Sequence, residues 1–429
     1  MPGGLLVVLF AWLGGCDRPS AAARSADDAV ADSLAEAPSP PFRNVADSVA
    51  YVGDESCVGC HATEARAYHE RSMSRSMHRW TKAVQIESTL AAPIAHPRSG
   101  FRYAVVEDRG RLWQVEYVEG ADGRRVHELR RPMDWVVGSG RVARTYFTEE
   151  NGRLTQLPLT WYHAHGWDFS PGYELTNLRF DRVLPDRCVA CHSSYPVAEP
   201  YLEGKYADLK PGIGCERCHG PGALHVAERK RGGAAPGSYD ATIVNPARLP
   251  VDRRLDVCEQ CHVHADVELP REGRGTFNYI PSQRLSDYYA FYKKVGAIDV
   301  VSHADRLRQS ACFLATRRSD KPLECATCHD PHEPGEAATR RNDACVGCHT
   351  QPALGKALAK SSEAAAHARP SDCVSFHMPA VRERTVPHGT FTEHWIRVPG
   401  RGDAGRATPR KGAAPIEAYY ARDRSGPEA

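Results

Sequence analysis

Apolar and polar positions alternate in two stretches of the first half of the chain, and this alternation predicts β-strands. Residues 101–106 and 112–118 flank Asp108-Arg109-Gly110, which is typical of a hairpin turn. A second pair of such stretches flanks Asn151-Gly152, another hairpin signal. The sequence therefore predicts a small β-rich insertion near residues 101–162.

The remaining pattern favours short helices joined by irregular loops. Helical spacing runs from residue 62 to 79 and recurs at 302–316 and 353–367. We therefore expect a mainly α domain with much irregular loop over residues 51–398, interrupted by the β-rich insertion. Residues 17–50 are rich in Ala, Ser, Asp and Pro and predict a flexible tether, and residues 399–429 predict a disordered tail.

The N-terminus has the pattern of an export signal. The apolar run at residues 5–13 is too short to span a bilayer as a mature helix, and it ends in Leu13-Gly14-Gly15-Cys16. This ending resembles the bacterial lipobox, although no Lys or Arg precedes the run. Residues 1–16 are therefore predicted to be a lipoprotein-type signal peptide with lipidation at Cys16. The alternative is an ordinary cleaved signal peptide, and both place the protein in the periplasm or cell envelope.

Cys-x-x-Cys-His occurs six times, and every Cys-x-x-Cys of the chain is followed by His. This is the attachment signature of c-type haem, in which two thiols bind the vinyl groups and the imidazole is the proximal iron ligand. Zinc knuckles or redox pairs are the alternative, but they do not require His at a fixed place after each pair. The predicted thioether residues are Cys57, Cys60, Cys188, Cys191, Cys215, Cys218, Cys258, Cys261, Cys325, Cys328, Cys345 and Cys348. The predicted proximal ligands are His61, His192, His219, His262, His329 and His349.

A seventh motif is degenerate. Of fifteen Cys, twelve belong to complete motifs, which leaves Cys16, Cys312 and Cys373. Cys373 opens the sequence Cys373-Val374-Ser375-Phe376-His377, in which Phe stands at the second Cys position. Either Cys373 forms a single thioether with His377 as iron ligand, or this haem is absent. The sequence thus predicts six haems c and leaves the seventh open.

Histidine is also the expected ligand on the distal side of each iron. The chain has 20 His and only five Met, so bis-His ligation is favoured, and low-spin bis-His haem suits electron transfer. His225 and His332 follow motifs closely, and His303 precedes the motif at Cys325, so these three are candidate distal ligands. Other unassigned histidines are His69, His78, His96, His264, His367, His388 and His394.

Several segments resemble multihaem cytochromes of the cytochrome c-554-like (cytochrome c-552/4 domain) family. The resemblance rests on residues 51–61, on 214–219 with Gly220-Pro221-Gly222 and His225, on 323–332, and on 372–379, with further matches at 137–162, 302–312 and 388–394. It implies a multihaem cytochrome c fold, largely α, with closely stacked haems and an exported electron-transfer protein. It also implies that His225 and His332 are distal ligands, whereas Phe376 departs from the family's closing CxxCHMP motif.

The sequence is compatible with three functions. The leading prediction is an electron carrier, and the alternative is a multihaem oxidoreductase acting on a small nitrogen or sulfur species at one open haem. A scaffold in which haem is structural is the third. Expected partners are redox proteins or a quinol-linked membrane oxidoreductase, with the membrane reached through the lipid. The net charge of +2 gives no support to nucleic-acid binding.

Overall fold

The computed structural model describes residues 42–420 except 88–89, 91, 234–238, 295–299, 334–337, 351–371, 384 and 399–414. Cys16, His367 and the helical pattern at 353–367 lie outside the described residues. None of the described helices combines the length and apolar character needed to cross a membrane.

Strands dominate the first half of the described chain and recur in the second half. In chain order they are β1 Met77–Arg79, β2 Ile94–Ala95, β3 Phe101–Asp108, β4 Arg111–Glu119, β5 Arg125–Pro132, β6 Trp135–Val137, β7 Ala143–Glu150, β8 Arg153–Gln156, β9 Leu159–Tyr162, β10 Gly166–Phe169, β11 Arg182–Val183, β12 Val197–Ala198, β13 Tyr206–Asp208, β14 Val267–Pro270, β15 Tyr289–Lys294, β16 Ala380–Arg382, β17 Thr390–Thr392 and β18 Ile416–Ala418.

These strands form antiparallel sheets. Strands β2-β3-β4-β5 form one sheet, and β1-β6-β7-β8-β11 form a second, to which β9 and β10 are added through β7. In the β3–β4 hairpin, Val105 lies opposite Gln114, and the turn at Arg109-Gly110 has positive φ at both residues. Asn151 and Gly152 also have positive φ, which a type I′ turn requires. Smaller sheets are β12-β13, β14-β15-β18 and β16-β17.

The two larger sheets enclose an apolar core of their own. Tyr103, Leu112, Met133, Tyr146 and Leu157 are all fully buried there. Alternating side chains of the strands supply these residues, so the inward-facing side chains can pack without any cofactor. This part of the chain therefore has the features of an independent β structure beside the motif-bearing segments.

Helices are short and coincide largely with the Cys-x-x-Cys-His motifs. They are α1 Glu55–Val58, α2 Ala62–His69, α3 Asp186–His192, α4 Glu216–His219, α5 Ala223–Lys230, α6 Val251–His262, α7 His303–Arg308, α8 Ala311–Thr316, α9 Cys325–Cys328, α10 Ala338–Val346 and α11 Cys373–His377.

The prediction of a mainly α fold is wrong. Strand and helix contribute comparably to the described residues, and the β structure extends from Met77 to Val183 rather than over 101–162 alone. The physical reason is that a haem-attachment motif needs only one helical turn, so many motifs do not produce much helix. The loops between motifs pair instead as short strands, such as β14 with β15.

Both ends of the described chain pack against the rest. Phe42 is buried with Val244, Leu249 and Val257, although it lies in the stretch predicted to be a tether. At the other end, β18 pairs with β15, with Ala418 opposite Tyr292. The segment predicted to be a disordered tail therefore contains residues that complete a sheet.

Candidate haem-binding sites

One helical turn separates the first Cys and the His of each motif. The backbone N–H of His61 donates to the carbonyl of Cys57 at 2.9 Å, and that of His329 donates to Cys325 at 2.9 Å. The same i to i+4 bond joins His219 to Cys215 at 3.1 Å and His349 to Cys345 at 2.8 Å. A single turn therefore presents the thiol and the imidazole together, as covalent haem attachment requires.

Two motif histidines face a second imidazole at the separation expected for one iron between them. A metal–nitrogen bond is about 2.0 Å and the ring centre lies about 1 Å beyond the nitrogen, so two ligands on opposite sides of an iron have centroids about 6 Å apart. The centroids of His61 and His225 are 6.3 Å apart, with the rings inclined by 28°. Those of His219 and His332 are 6.0 Å apart. The residues fit a bis-His haem at both positions.

A third group of histidines contains a residue that the sequence did not single out. The centroids of His329 and His394 are 6.3 Å apart, and those of His262 and His303 are 5.4 Å apart. His303 and His394 are neighbours at 4.4 Å, too close to share one iron. His394 therefore lies opposite His329 of the motif at Cys325, and His303 lies opposite His262 of the motif at Cys258. Only sequence position linked His303 to Cys325, which it precedes.

A buried ion pair positions His394. Arg306 donates from Nε and Nη2 to the two carboxylate oxygens of Glu393, at 2.9 and 2.7 Å, and both side chains are buried. Arg306 lies three residues after His303 on α7, so one helix carries both His303 and the anchor of the His394 segment. Burial raises the pKa of Glu393, but the hydrogen bonds from Arg306 outweigh it, and the pKa lies below its usual value.

The burial of these rings keeps them neutral, as iron ligation requires. Burial lowers the pKa of His303 to about 2 and that of His394 to about 4, with the neighbouring imidazoles contributing further. Burial also lowers the pKa of His219 and of His192. At neutral pH a ring nitrogen of each therefore retains its lone pair for a metal.

Several of the imidazoles are oriented through Nδ1, which leaves Nε2 for an iron. His219 Nδ1 lies 2.8 Å from the carbonyl oxygen of Val244, and His394 Nδ1 lies 3.0 Å from that of Thr392. His377 of the degenerate motif has the same contact, at 2.9 Å from the carbonyl oxygen of Arg397. The seventh motif thus keeps the ligand orientation found at an intact one.

A carboxylate orients His225. Its Nδ1 lies 2.9 Å from Asp240 Oδ2, while Asp240 also accepts hydrogen bonds from Arg229 and from the amide and hydroxyl of Thr242. Burial alone would raise the pKa of Asp240, but the bonds from Thr242 and Arg229 outweigh it and hold the pKa well below its usual value. An ionised carboxylate behind a ligating imidazole increases the basicity of the ligand.

The motifs lie against one another in a continuous series. Thiols of different motifs lie beside one another in four places, namely Cys57 and Cys215, Cys191 and Cys261, Cys258 and Cys325, and Cys345 and Cys373. Gln260 Nε2 donates to the carbonyl of Arg217 at 2.9 Å, which joins the third motif to the fourth. Haems attached to these cysteines would be close neighbours.

Residues between the cysteines of the third motif hold this arrangement, and sequence reasoning missed them. The Glu216 carboxylate accepts the amides of Val52, Gly53 and Gly222 at 2.8–2.9 Å, which fastens the start of the first motif to the third. Arg217 Nη2 donates to the carbonyl of Ala190 at 2.7 Å and thereby contacts the second motif. The only sign of this role in the sequence is that both residues between the two cysteines of the third motif are charged.

The described residues assign no second imidazole to His192 or His349. His192 is partly buried and its Nδ1 atom lies in the interior without a hydrogen-bond partner, while Ser76 Oγ donates to the His192 carbonyl at 2.9 Å. The degenerate motif forms α11, with Asp372 Oδ1 accepting the amide of Ser375 at 3.2 Å. Phe376, which replaces a cysteine there, is half exposed.

The chain is similar to known cytochromes in part of its length. The family model described as "Cytochrome c554 and c-prime" matches residues 174–220, which contain the motifs at Cys188 and Cys215. This match supports a c-type cytochrome family and covalent haem c. Comparison with curated proteins finds no match. The crystal structure of the outer cell wall cytochrome OcwA is 17% identical, with a TM-score of 0.47, and the similarity covers 81% of this chain and 79% of that chain.

Proposed function

We propose that this protein is an exported multihaem c-type cytochrome that transfers electrons through closely spaced, mostly bis-His haems. The observation that carries the proposal is the set of facing imidazoles, above all His61 with His225, His219 with His332, and His329 with His394, at 6.0–6.3 Å. A haem with two strong axial ligands is suited to electron transfer and has no open position on iron for a substrate.

The redox chemistry belongs to the haem, and this chain supplies attachment, ligands and spacing. Cysteine pairs anchor each haem, histidines ligate it, and hydrogen bonds such as His225 to Asp240 fix the rings. The proximity of Cys57 to Cys215 and of Cys258 to Cys325 supports short distances between neighbouring haems. Redox proteins or a quinol-linked membrane oxidoreductase are the proposed partners.

The decisive experiment combines haem count with spin state. The full chain is expressed with a c-type maturation system, its intact mass is measured, and the oxidised protein is examined by EPR. We expect six or seven covalently attached haems and mainly low-spin signals. Fewer than six haems, or stoichiometric zinc, contradicts the proposal. A strong high-spin signal together with steady reduction of nitrite or hydroxylamine favours an oxidoreductase instead.

We further propose that lipid on Cys16 holds the protein at the membrane of the cell envelope. The support is the apolar run that ends in Leu13-Gly14-Gly15-Cys16. Two acyl chains give stable anchoring where one does not. Cys16→Ser is expected to move the haem protein from the membrane fraction to the soluble periplasmic fraction. A wild-type protein that is already soluble there contradicts lipidation.

A further inference from the structure

A cluster of two histidines and one aspartate contains no residue of a haem-attachment motif. His165 belongs to the turn between β9 and β10, Asp168 lies on β10, and His388 lies in the turn between β16 and β17. The candidate ligand atoms of all three lie within 4.8 Å of one another. The cluster therefore joins the edge of the β region to the C-terminal segment, 220 residues away from Asp168 along the chain.

The donor atoms converge on one carboxylate oxygen. Asp168 Oδ2 lies 2.7 Å from His388 Nε2 and 3.8 Å from His165 Nε2. The other oxygen, Oδ1, accepts the amide of Phe169 at 2.7 Å, which fixes the carboxylate and directs Oδ2 at the imidazoles. The two rings are stacked, 3.6 Å between centroids and inclined by 3°.

This arrangement differs from the haem ligands described above. A pair of rings at 3.6 Å leaves no room for an iron between them, in contrast to the 6.3 Å of His61 and His225. His388 directs Nε2 at Asp168, and the cluster is partly open to solvent, with His165 exposed. His388 and His165 are therefore better placed to share a small ion than to ligate haem.

We propose that His165, Asp168 and His388 form a binding site for a divalent transition-metal ion, of which Zn²⁺ and Cu²⁺ are the best matches. Two imidazole nitrogens and one carboxylate oxygen are the donor set these ions favour, whereas Mg²⁺ and Ca²⁺ favour oxygen ligands alone. Three protein ligands leave a coordination position for water. A bound ion would cross-link the β9–β10 hairpin to the segment that carries His394.

The test uses the purified full-length protein with its haems attached, after treatment with a chelator. Zn²⁺ uptake is measured by equilibrium dialysis with elemental analysis, for the wild type and for His165→Ala, Asp168→Asn and His388→Ala. His127→Ala is the control, because His127 is an exposed histidine outside the cluster, on β5. We expect the wild type and the control to bind one more equivalent than the three variants, whose affinity at this site falls at least about 100-fold.

Cu²⁺ EPR provides a second readout that does not depend on the count of other weak sites. The wild type is expected to show a Cu²⁺ signal with two-nitrogen superhyperfine structure, and His165→Ala to lose one of the two nitrogens. Equal Zn²⁺ uptake by the wild type and by His165→Ala and Asp168→Asn overturns the proposal. Loss of a low-spin haem signal in His388→Ala, with unchanged Zn²⁺ binding in His165→Ala, also overturns it, because His388 would then be a haem ligand.

Discussion

Individual residues decide which imidazoles face each other. His303 and His394 are adjacent, yet each lies opposite a different motif histidine, and the Arg306–Glu393 ion pair fixes the segment that carries His394. We expect removal of either ring to leave its facing motif histidine without a second imidazole, because the neighbouring ring lies opposite another motif. The assignment of distal ligands can therefore be tested one residue at a time.

We expect His394→Ala to convert one haem from low to high spin while the haem count stays the same. The reason is that thioethers and the proximal His329 still hold that haem, and only the distal ligand is lost. EPR of the oxidised protein gives the spin state and intact mass gives the count. His127→Ala is the matched control and should leave both unchanged. A fully low-spin His394→Ala protein would show that His394 is not an axial ligand.

The carboxylate behind His225 should set the potential of its haem. In Asp240→Asn the charge is removed while a side chain of the same shape can still accept the Nδ1–H bond, so the imidazole becomes a weaker donor and the ferric form loses stabilisation. A loss of about 1 kcal/mol corresponds to about 40 mV for a one-electron couple. We expect one haem to shift upward by about that amount in a spectroelectrochemical titration, and an unchanged potential would contradict the role.

At the scale of elements, short strands connect one-turn helices where short helices and irregular loops were expected. Helices such as α4 and α9 consist of little more than the motif itself, and the chain between motifs forms strands such as β14 and β15. Strand β18 completes this sheet by pairing with β15, and Tyr419 and Tyr420 contact the ring of Phe291 with centroids at 6.4 and 5.9 Å. The C-terminal strand is thus part of the folded domain.

Two truncated chains test the contribution of β18 to stability separately from that of the residues that follow it. A chain ending at residue 414 lacks β18 and two partly buried tyrosines, so we expect its free energy of unfolding to fall by about 3 kcal/mol, the low end of the range for removal of a large aromatic side chain. A chain ending at Tyr420 is the control and should unfold as the full chain does. Thermal unfolding followed by circular dichroism measures the difference, and equal midpoints would show that β18 contributes nothing.

At the scale of the whole molecule, the motifs form one connected series from the first to the degenerate seventh. Cys57 lies beside Cys215, which brings together motifs that are far apart in sequence, and Cys345 lies beside Cys373 of the next motif. The β region packs its own core beside this series, and Met77, Trp135 and Leu184 connect it to Val189 of α3. The motif series and a β region with its own core are therefore built from one chain.

The degenerate seventh motif is the last member of this series along the chain. His377 has its Nδ1 contact with the carbonyl of Arg397, and Cys373 lies beside Cys345, so the motif lacks only its second cysteine. We expect Phe376→Cys to raise the haem content by at most one and to leave the other six haem spectra unchanged. Intact mass and visible spectra measure both quantities, and a gain of more than one haem, or altered spectra elsewhere, would contradict this account.

Short sequence patterns by themselves determined which residues attach haem and where the hairpin turns lie. Cys-x-x-Cys-His spacing corresponds to one helical turn, so each motif can be located from the sequence, and Asn151-Gly152 turns as its preference for positive φ requires. The positions of His225 and His332, a few residues after a motif, also indicated the rings that the structure places opposite His61 and His219.

Only the tertiary structure decided the rest, because it depends on contacts between residues distant in the chain. His394 lies 65 positions after His329, and nothing in the sequence joins the two rings at 6.3 Å. The sequence also did not predict the amount of β structure, because strands of two to four residues are stabilised by pairing with neighbouring strands rather than by their own alternation of apolar and polar residues. The pairing of Asp168 with His388 follows from the same cause: packing, not spacing, brings their side chains together.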